Sequence, residues 1–544
     1  MTPITGGEAA REALIKLGVK HVFCIPSIHN LPILDAINRL GGITPVVVRH
    51  EQAAAHSADG YARATGELGV VIASTGPGTT NTVTGIYEAA RASSRVLVLT
   101  GQAETYYYGK GRGAGHEAEH QVPMLQTVAR RVESPRYTHD IAPAIFRAAA
   151  DIQTGRPQPA AVELPIDIQY GSTDVAVGEP YPTHPVPVAE DSVAQAADLI
   201  GKAQKRIIVA GGGVNHGDAS DALVALAEQL DAPVFTTDNG RGAIPDDHPL
   251  SMGPYLYARD TSQAIADADV VLAVGTWFRI RSNNPLPGKL VHLDVDARSI
   301  NLNYRADVEI IGDAALGLTA LSAAMNPEPG DAGFREAVSA ASSRVKARIR
   351  ERIGPDMEQI MDSMREQLPR DGIFVRDMTQ PAYNWGNPLF PILGSRTTMN
   401  PTTGAIGPGL PLANGAALGS GKKTIAMHGD GGVMCHIGEL ATTAQYNLPV
   451  VLCIFTDGGY GVLRGIQSRT FDDRMIGVDL ATPNFVMIAR GMGIEAEAVN
   501  SADGFTEALA RAMAHDGPYV LDIDMSKLAP MKGTIMTEFV QPSG

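Results

Sequence analysis

The sequence predicts an α/β protein built from three consecutive doubly wound parallel-sheet domains. Two observations carry that expectation. Short β-branched runs alternate with helix-spaced stretches along most of the chain, and the alternation is interrupted twice, by a proline-rich segment and by a Pro/Gly/Asp segment. Length agrees, because 544 residues exceed what one hydrophobic core usually serves.

In the first block, 19–25, 44–49, 69–74, 95–101 and 160–164 read as buried strands, and 53–65, 81–92 and 141–153 carry helical spacing. Residues 170–187 lose that periodicity and hold prolines 180, 182, 185 and 187, so a linker is expected there. The middle block has strands at 206–210, 234–236, 269–275 and 290–294. A boundary at 325–331 is followed by a charged helix from Phe334 to about Leu368 and then by strands at 372–377, 423–428, 449–456 and 519–523. The expected domains are 1–170, 188–325 and 350–544.

Composition excludes several classes. A net charge of −15 would repel nucleic acid and anionic membranes at long range, so neither is an expected partner. No apolar run approaches the roughly 20 residues of a membrane helix, and the first residues lack a signal-peptide pattern, so a cytoplasmic protein is expected. Cys24, Cys435 and Cys453 lie in or beside apolar runs without CxxC spacing, which reads as buried small hydrophobes in a reducing compartment.

Two glycine-rich stretches invite a ligand. Gly211 to Gly217 tempts one toward a dinucleotide, but the fingerprint needs glycine where His216 stands, and no acidic residue ends a following strand at the right distance. A tight strand-to-helix turn is the expectation. The third block is more specific. Gly429-Asp430-Gly431-Gly432 follows a strand and precedes a helix near 437–446, and Asp457-Gly458-Gly459-Tyr460-Gly461 follows the next strand, with Asp457 27 positions after Asp430. Open parallel sheets bind ligands at the carboxyl ends of their strands. Two carboxylates there are the oxygen ligands a magnesium ion takes, and glycine-rich turns let amides approach an anion.

With that spacing the chain resembles the thiamine-diphosphate enzymes that include acetolactate synthase, the pyruvate and benzoylformate decarboxylases, and benzaldehyde lyase. Those proteins carry Gly-Asp-Gly followed about 26–30 residues later by Asn-Asn, where this chain has Thr456-Asp457. The resemblance implies thiamine diphosphate and Mg2+ as cofactors, with Asp430, Asp457 and the Gly459 carbonyl as metal ligands and Gly429, Gly431, Gly432 and Tyr460 around the diphosphate. It makes Glu51 the acid that hydrogen-bonds the aminopyrimidine and so promotes loss of the thiazolium C2 proton. Gly76 and Asn81, in Gly-Pro-Gly-Thr-Thr-Asn, would line the pyrimidine side. Gly404 and Ile406 match the stretch whose large apolar residue bends the cofactor, and Gln380 matches a diphosphate-contacting glutamine.

The resemblance also implies that two chains share each active site, so a homodimer or homotetramer is expected. In relatives the middle block carries FAD, an adenine nucleotide or nothing, and the residues leave this undecided. Ala114-Gly115-His116-Glu117 stands where acetolactate synthases usually read Ala-Phe-Gln-Glu, and Ile466 replaces a tryptophan, so a partner bulkier than pyruvate is expected. His29 has a counterpart in benzaldehyde lyase, and His29 with His116 would move substrate protons. The expected function is a lyase or carboligase acting beside the carbonyl of a 2-oxo acid or 2-hydroxy ketone. An acetolactate synthase-type catalytic subunit and a non-catalytic cofactor-binding subunit are the alternatives.

Overall fold

The computed structural model of the chain describes residues 2–113, 115–278 and 285–532. It contains three six-stranded sheets, all of whose paired strands run parallel. The first sheet is ordered Thr44–Val47, His21–Cys24, Gly69–Ala73, Val96–Gln102, Ala160–Pro165, Arg131–Glu133. The third runs Thr398–Met399, Ile373–Arg376, Thr424–Gly429, Val450–Thr456, Tyr519–Asp524, Glu495–Val499. Numbered along the chain, both follow the order 2-1-3-4-6-5. The middle sheet, Ser251–Gly253, Val234–Thr236, Arg206–Ala210, Val270–Val274, Lys289–Asp294, Val308–Ile311, follows 3-2-1-4-5-6, the dinucleotide-fold order.

The central strands are apolar because helices cover both faces: every residue of Gly69–Ala73, Val96–Gln102, Arg206–Ala210 and Thr424–Gly429 is buried. Most strands not anticipated from sequence lie at or next to sheet edges, where half-exposed residues such as Arg131–Glu133 and Glu495–Val499 carry no continuous apolar signal. The linker holds one short strand, Ser172–Thr173, antiparallel to Ile4–Thr5. The long helix Ala332–Gln367 is interrupted at Gly354, whose φ of 78° precedes Pro355. Its second half packs Met357, Met361 and Met364 into the core that holds Phe374 and Phe455.

The first and third units touch helix to helix. A Cβ on Gly60 would lie 2.1 Å from the Leu412 carbonyl, and one on Gly415 1.8 Å from that of Ser57. Helices Glu51–Thr65 and Gly409–Ser420 therefore cross backbone against backbone. No described helix is long and apolar enough to cross a membrane. Of the cysteines, Cys24 and Cys453 are buried as expected, and burial pushes the Cys24 thiol up to about 12. Cys435 is exposed instead: it follows the turn Asp430–Val433 rather than continuing an apolar run.

Candidate active site

Three neighbouring strands of the third sheet deliver the acidic residues to one edge. Asp377 follows Ile373–Arg376, Asp430 follows Thr424–Gly429, and Asp457 follows Val450–Thr456. Asp430 is 2% exposed; its Oδ2 accepts from the Thr482 hydroxyl at 2.9 Å, and its Oδ1 is buried with no hydrogen-bond partner. Asp457 Oδ2 accepts from the Gln380 amide at 2.9 Å. Burial first, and the facing Asp430 second, push the Asp457 carboxyl up to about 6.

The glycines of both turns answer to specific neighbours. A Cβ on Gly461 would lie 1.8 Å from Asp457 Oδ2, and one on Gly431 2.6 Å from the Tyr460 ring. Gly459 has φ 151° and bridges Asp479 across a short antiparallel contact. Arg464 donates to the carbonyls of Asp457 (3.4 Å) and Gly458 (3.2 Å) and to the Asp479 carboxylate (2.9 Å), tying the turn down. A Cβ on Gly429 would crowd Thr379, and one on Gly432 would crowd Asp377. The helix expected near 437–446 is preceded by a helical turn, Asp430–Val433, which begins on the aspartate itself.

The loop bearing Gly404 and Ile406 is held at both ends. Asp377 accepts the amides of Gly407 at 3.0 Å and Gly409 at 2.8 Å, and Glu88 of the first unit accepts from Thr402 and Thr403. Between these anchors Gly404 has φ 80° and Ile406 is 39% exposed.

In the first unit Glu51 opens the helix Glu51–Thr65, and the strand before it ends at Val47. Asn81 donates to Glu51 Oε2 at 3.0 Å, and a Cβ on Gly78 would meet Oε1 at 3.5 Å. Gly76 needs its φ of 58°; its amide donates to Gln121 Oε1 at 3.1 Å. Gln121 and Gln102 both donate to the buried Glu163, and Thr75 donates to the His116 carbonyl at 3.0 Å. This network holds the Gly76 turn against the backbone of His116. The His29 and His116 rings lie 5.5 Å apart. His29 is 7% exposed with an unpartnered Nδ1; burial, then His116, lowers its pKa. Ala114 lies outside the described residues.

The sequence-derived candidates thus fall into two groups. His29, Glu51, Gly76, Asn81 and His116 gather on the first unit; Gln380, Gly404, Ile406, Gly429 to Gly432, Asp457, Gly459 and Tyr460 gather on the third. No hydrogen bond or ion pair among the described residues joins Glu51 to Asp430 or Asp457. Asp377, Thr482, Glu88 and Gln121 carry no sequence signal, because each acts through a partner distant in sequence, and Arg464 carries none because its role lies in the folded turn. The residues fit a metal-bound diphosphate: Asp430 Oδ1 is orphaned, two like charges face one another, and side-chain-free turns flank them. Among the described residues no three His, Cys, Asp or Glu side chains gather as a metal site, so the remaining ligands would be phosphate oxygens and a carbonyl.

A cavity of about 730 Å3 opens where the strand order of the middle sheet reverses, walled also by Arg91 and Arg156 of the first unit and by Asn400 and Gly404 of the third. Gly211 and Gly213, after Arg206–Ala210, approach Gly275, after Val270–Val274, so closely that a Cβ on either would collide. Asp294 ends Lys289–Asp294, the strand paired beside Val270–Val274, and burial pushes its carboxyl up to about 6. Trp277 lies between the guanidiniums of Arg91 and Arg156, 4.7 and 4.6 Å from the ring centroid.

Three family models match the chain in order: "Thiamine pyrophosphate enzyme, N-terminal TPP binding domain" at residues 4–126, "central domain" at 193–321 and "C-terminal TPP binding domain" at 381–523. The chain belongs to the thiamine pyrophosphate enzyme family, and it is a thiamine-diphosphate-dependent enzyme of the decarboxylase and carboligase type. A probable acetolactate synthase large subunit of Methanocaldococcus jannaschii is 33% identical over 99% of this chain and 95% of its own. A probable 2-ketoarginine decarboxylase of Pseudomonas aeruginosa is 32% identical over 96% of this chain and 94% of its own. An acetolactate synthase large subunit of Parasynechococcus marenigrum is 31% identical over 96% and 88%.

Proposed function

We propose that the enzyme is a magnesium-dependent lyase or carboligase that breaks or forms the carbon–carbon bond beside the carbonyl of a 2-oxo acid or 2-hydroxy ketone. The carrying observation is the buried Asp430, one oxygen orphaned, with the half-buried Asp457 at the adjacent strand end, both on glycine-rich turns. Thiamine diphosphate, when bound, supplies the carbon nucleophile and the electron sink. Asp430, Asp457 and the Gly459 carbonyl would hold Mg2+. Gln380, Gly404, Gly429, Gly431, Gly432 and Tyr460 would line the diphosphate, and Ile406 would support the bent form of the cofactor.

Glu51, oriented by Asn81, holds a proton for the pyrimidine, with Gly76 and Asn81 forming that wall. His29, kept mostly neutral by burial, accepts and returns a proton at the substrate oxygen, and His116 passes it onward. The resemblance to a family in which the pyrimidine-binding unit of one chain meets the diphosphate-binding unit of another supports a site completed by a second copy of the chain, hence a homodimer or homotetramer. The three unpaired cysteines support a reducing, cytoplasmic setting.

Gly115 and Ile466 leave more room than the aromatics of acetolactate synthases, which favours a bulkier substrate than a pair of pyruvates. The resemblance over nearly the whole chain to acetolactate synthases keeps that activity as the second reading. The middle cavity, with its glycine cradle and Asp294, would take an adenine nucleotide or FAD; absorbance of the purified protein separates the two. The proposal is tested by incubating the protein with both cofactors and a panel of 2-oxo acids and aldehydes, with product analysis. Product from the wild type, with turnover at least about a hundredfold lower in Glu51→Gln, supports it; equal turnover by both overturns it.

A further inference from the structure

We propose that Glu88 is a positioning residue that sets the loop 400–409, and through it Ile406, from the first unit. This rests on the reading of Ile406 as the residue under the cofactor's bend. Glu88 lies near the end of the helix Pro77–Ala92 and is 1% exposed. Among the described residues its hydrogen bonds all come from that loop: the amide of Thr402 to Oε1, and the amide and hydroxyl of Thr403 to Oε2. Among the described residues no Lys, Arg or His forms an ion pair with it.

A buried carboxylate without a cation is costly unless donors surround it. Here the loop supplies those donors, so loop and carboxylate hold one another in place. Arg63 of the first unit adds a bond to the Asn400 carbonyl at 3.0 Å. At the far end Asp377 takes the Gly407 and Gly409 amides. Gly404, Ala405 and Ile406 thus span two carboxylate anchors, one from each unit. Ile406 is partly exposed, so its position depends on where the two ends of this span are tied. Thr402 and Gly404 also line the middle cavity, which makes the loop a wall shared by both pockets.

The test uses the full-length protein and three substitutions. Glu88→Gln keeps the shape but turns one acceptor into an amide group facing the donors of Thr402 and Thr403. Thr403→Val removes one loop-side donor and carries the test should Glu88→Gln not fold. Ile406→Ala probes the underlying reading. Two quantities are measured: amide hydrogen exchange over 400–407 without cofactor, and C2-proton exchange of thiamine diphosphate at saturating cofactor and magnesium. Glu88→Gln is expected to speed loop exchange and slow C2-proton exchange, each by about tenfold, with helix protection at 77–92 retained. Thr403→Val should shift both in the same direction by less. Unchanged loop protection, or freed loop amides with wild-type C2-proton exchange while Ile406→Ala slows it, overturns the role of Glu88. Wild-type C2-proton exchange in Ile406→Ala overturns the reading of Ile406 itself.

Discussion

Asp457 faces Asp430 across adjacent strand ends, and burial first, then the Asp430 carboxylate, disfavours the charge on Asp457. Relatives of the resembling family carry asparagine where Asp457 stands, so this chain has one more negative charge to neutralise. A cation between the two removes the repulsion. Asp457→Asn should therefore raise the melting temperature of the metal-free protein at neutral pH and shrink the increase produced by Mg2+ with thiamine diphosphate. Differential scanning fluorimetry measures both; an undiminished increase would show that Asp457 does not face the metal.

Among the described residues Glu51 receives its one side-chain hydrogen bond from Asn81. Glu51→Gln should fold and bind cofactor normally yet lose about 10²- to 10⁴-fold in kcat, the usual span for a positioned acid or base. Steady-state kinetics beside cofactor titration checks this. A loss confined to KM would place Glu51 in binding alone.

Arg464 fastens the turn that carries Asp457 and Gly459 without itself being a metal ligand. Removing such support costs about 10- to 100-fold in metal affinity. Arg464→Ala should weaken magnesium binding by that factor in a competition titration while leaving the thermal stability of the metal-free protein nearly unchanged. Equal affinity in both proteins would reduce the arginine to a surface contact with Asp479.

Asp59 gives a pH signature away from the site. It is fully buried between Arg63, 3.6 Å away, and Ser94, and burial raises its carboxyl to about 6. An acid whose folded value lies above its unfolded value of about 4 binds more protons folded than unfolded between the two. Its share of stability therefore falls as pH rises from about 4 to about 6, by on the order of 2–3 kcal/mol. Urea midpoints of the wild type and Asp59→Asn should diverge in that direction across the window and run parallel above it. Parallel curves throughout would mean that Asp59 titrates at its ordinary value.

Much of this was legible in the sequence, for a physical reason. Central strands covered on both faces must be continuously apolar, so 206–210 and 234–236 matched their observed bounds, whereas Glu495–Val499, half-exposed at an edge, gave no such signal. Asp430 and Asp457 were visible because local glycines accompany them. Glu88, Gln121 and Thr482 were not, since each is defined by a partner brought in by tertiary structure. The strand-to-helix turn at Gly211 was legible, whereas the crevice beside it was not, for a related reason. Its cradle joins Gly211 and Gly213 to Gly275 across two strands, a juxtaposition that a one-strand fingerprint does not test.

The most direct test of the central claim is calorimetric titration of metal-stripped protein with thiamine diphosphate, with and without magnesium, beside Asp430→Ala. The account predicts tight binding that requires magnesium in the wild type and is lost in the variant. Binding of equal strength without magnesium, or in Asp430→Ala, would contradict it.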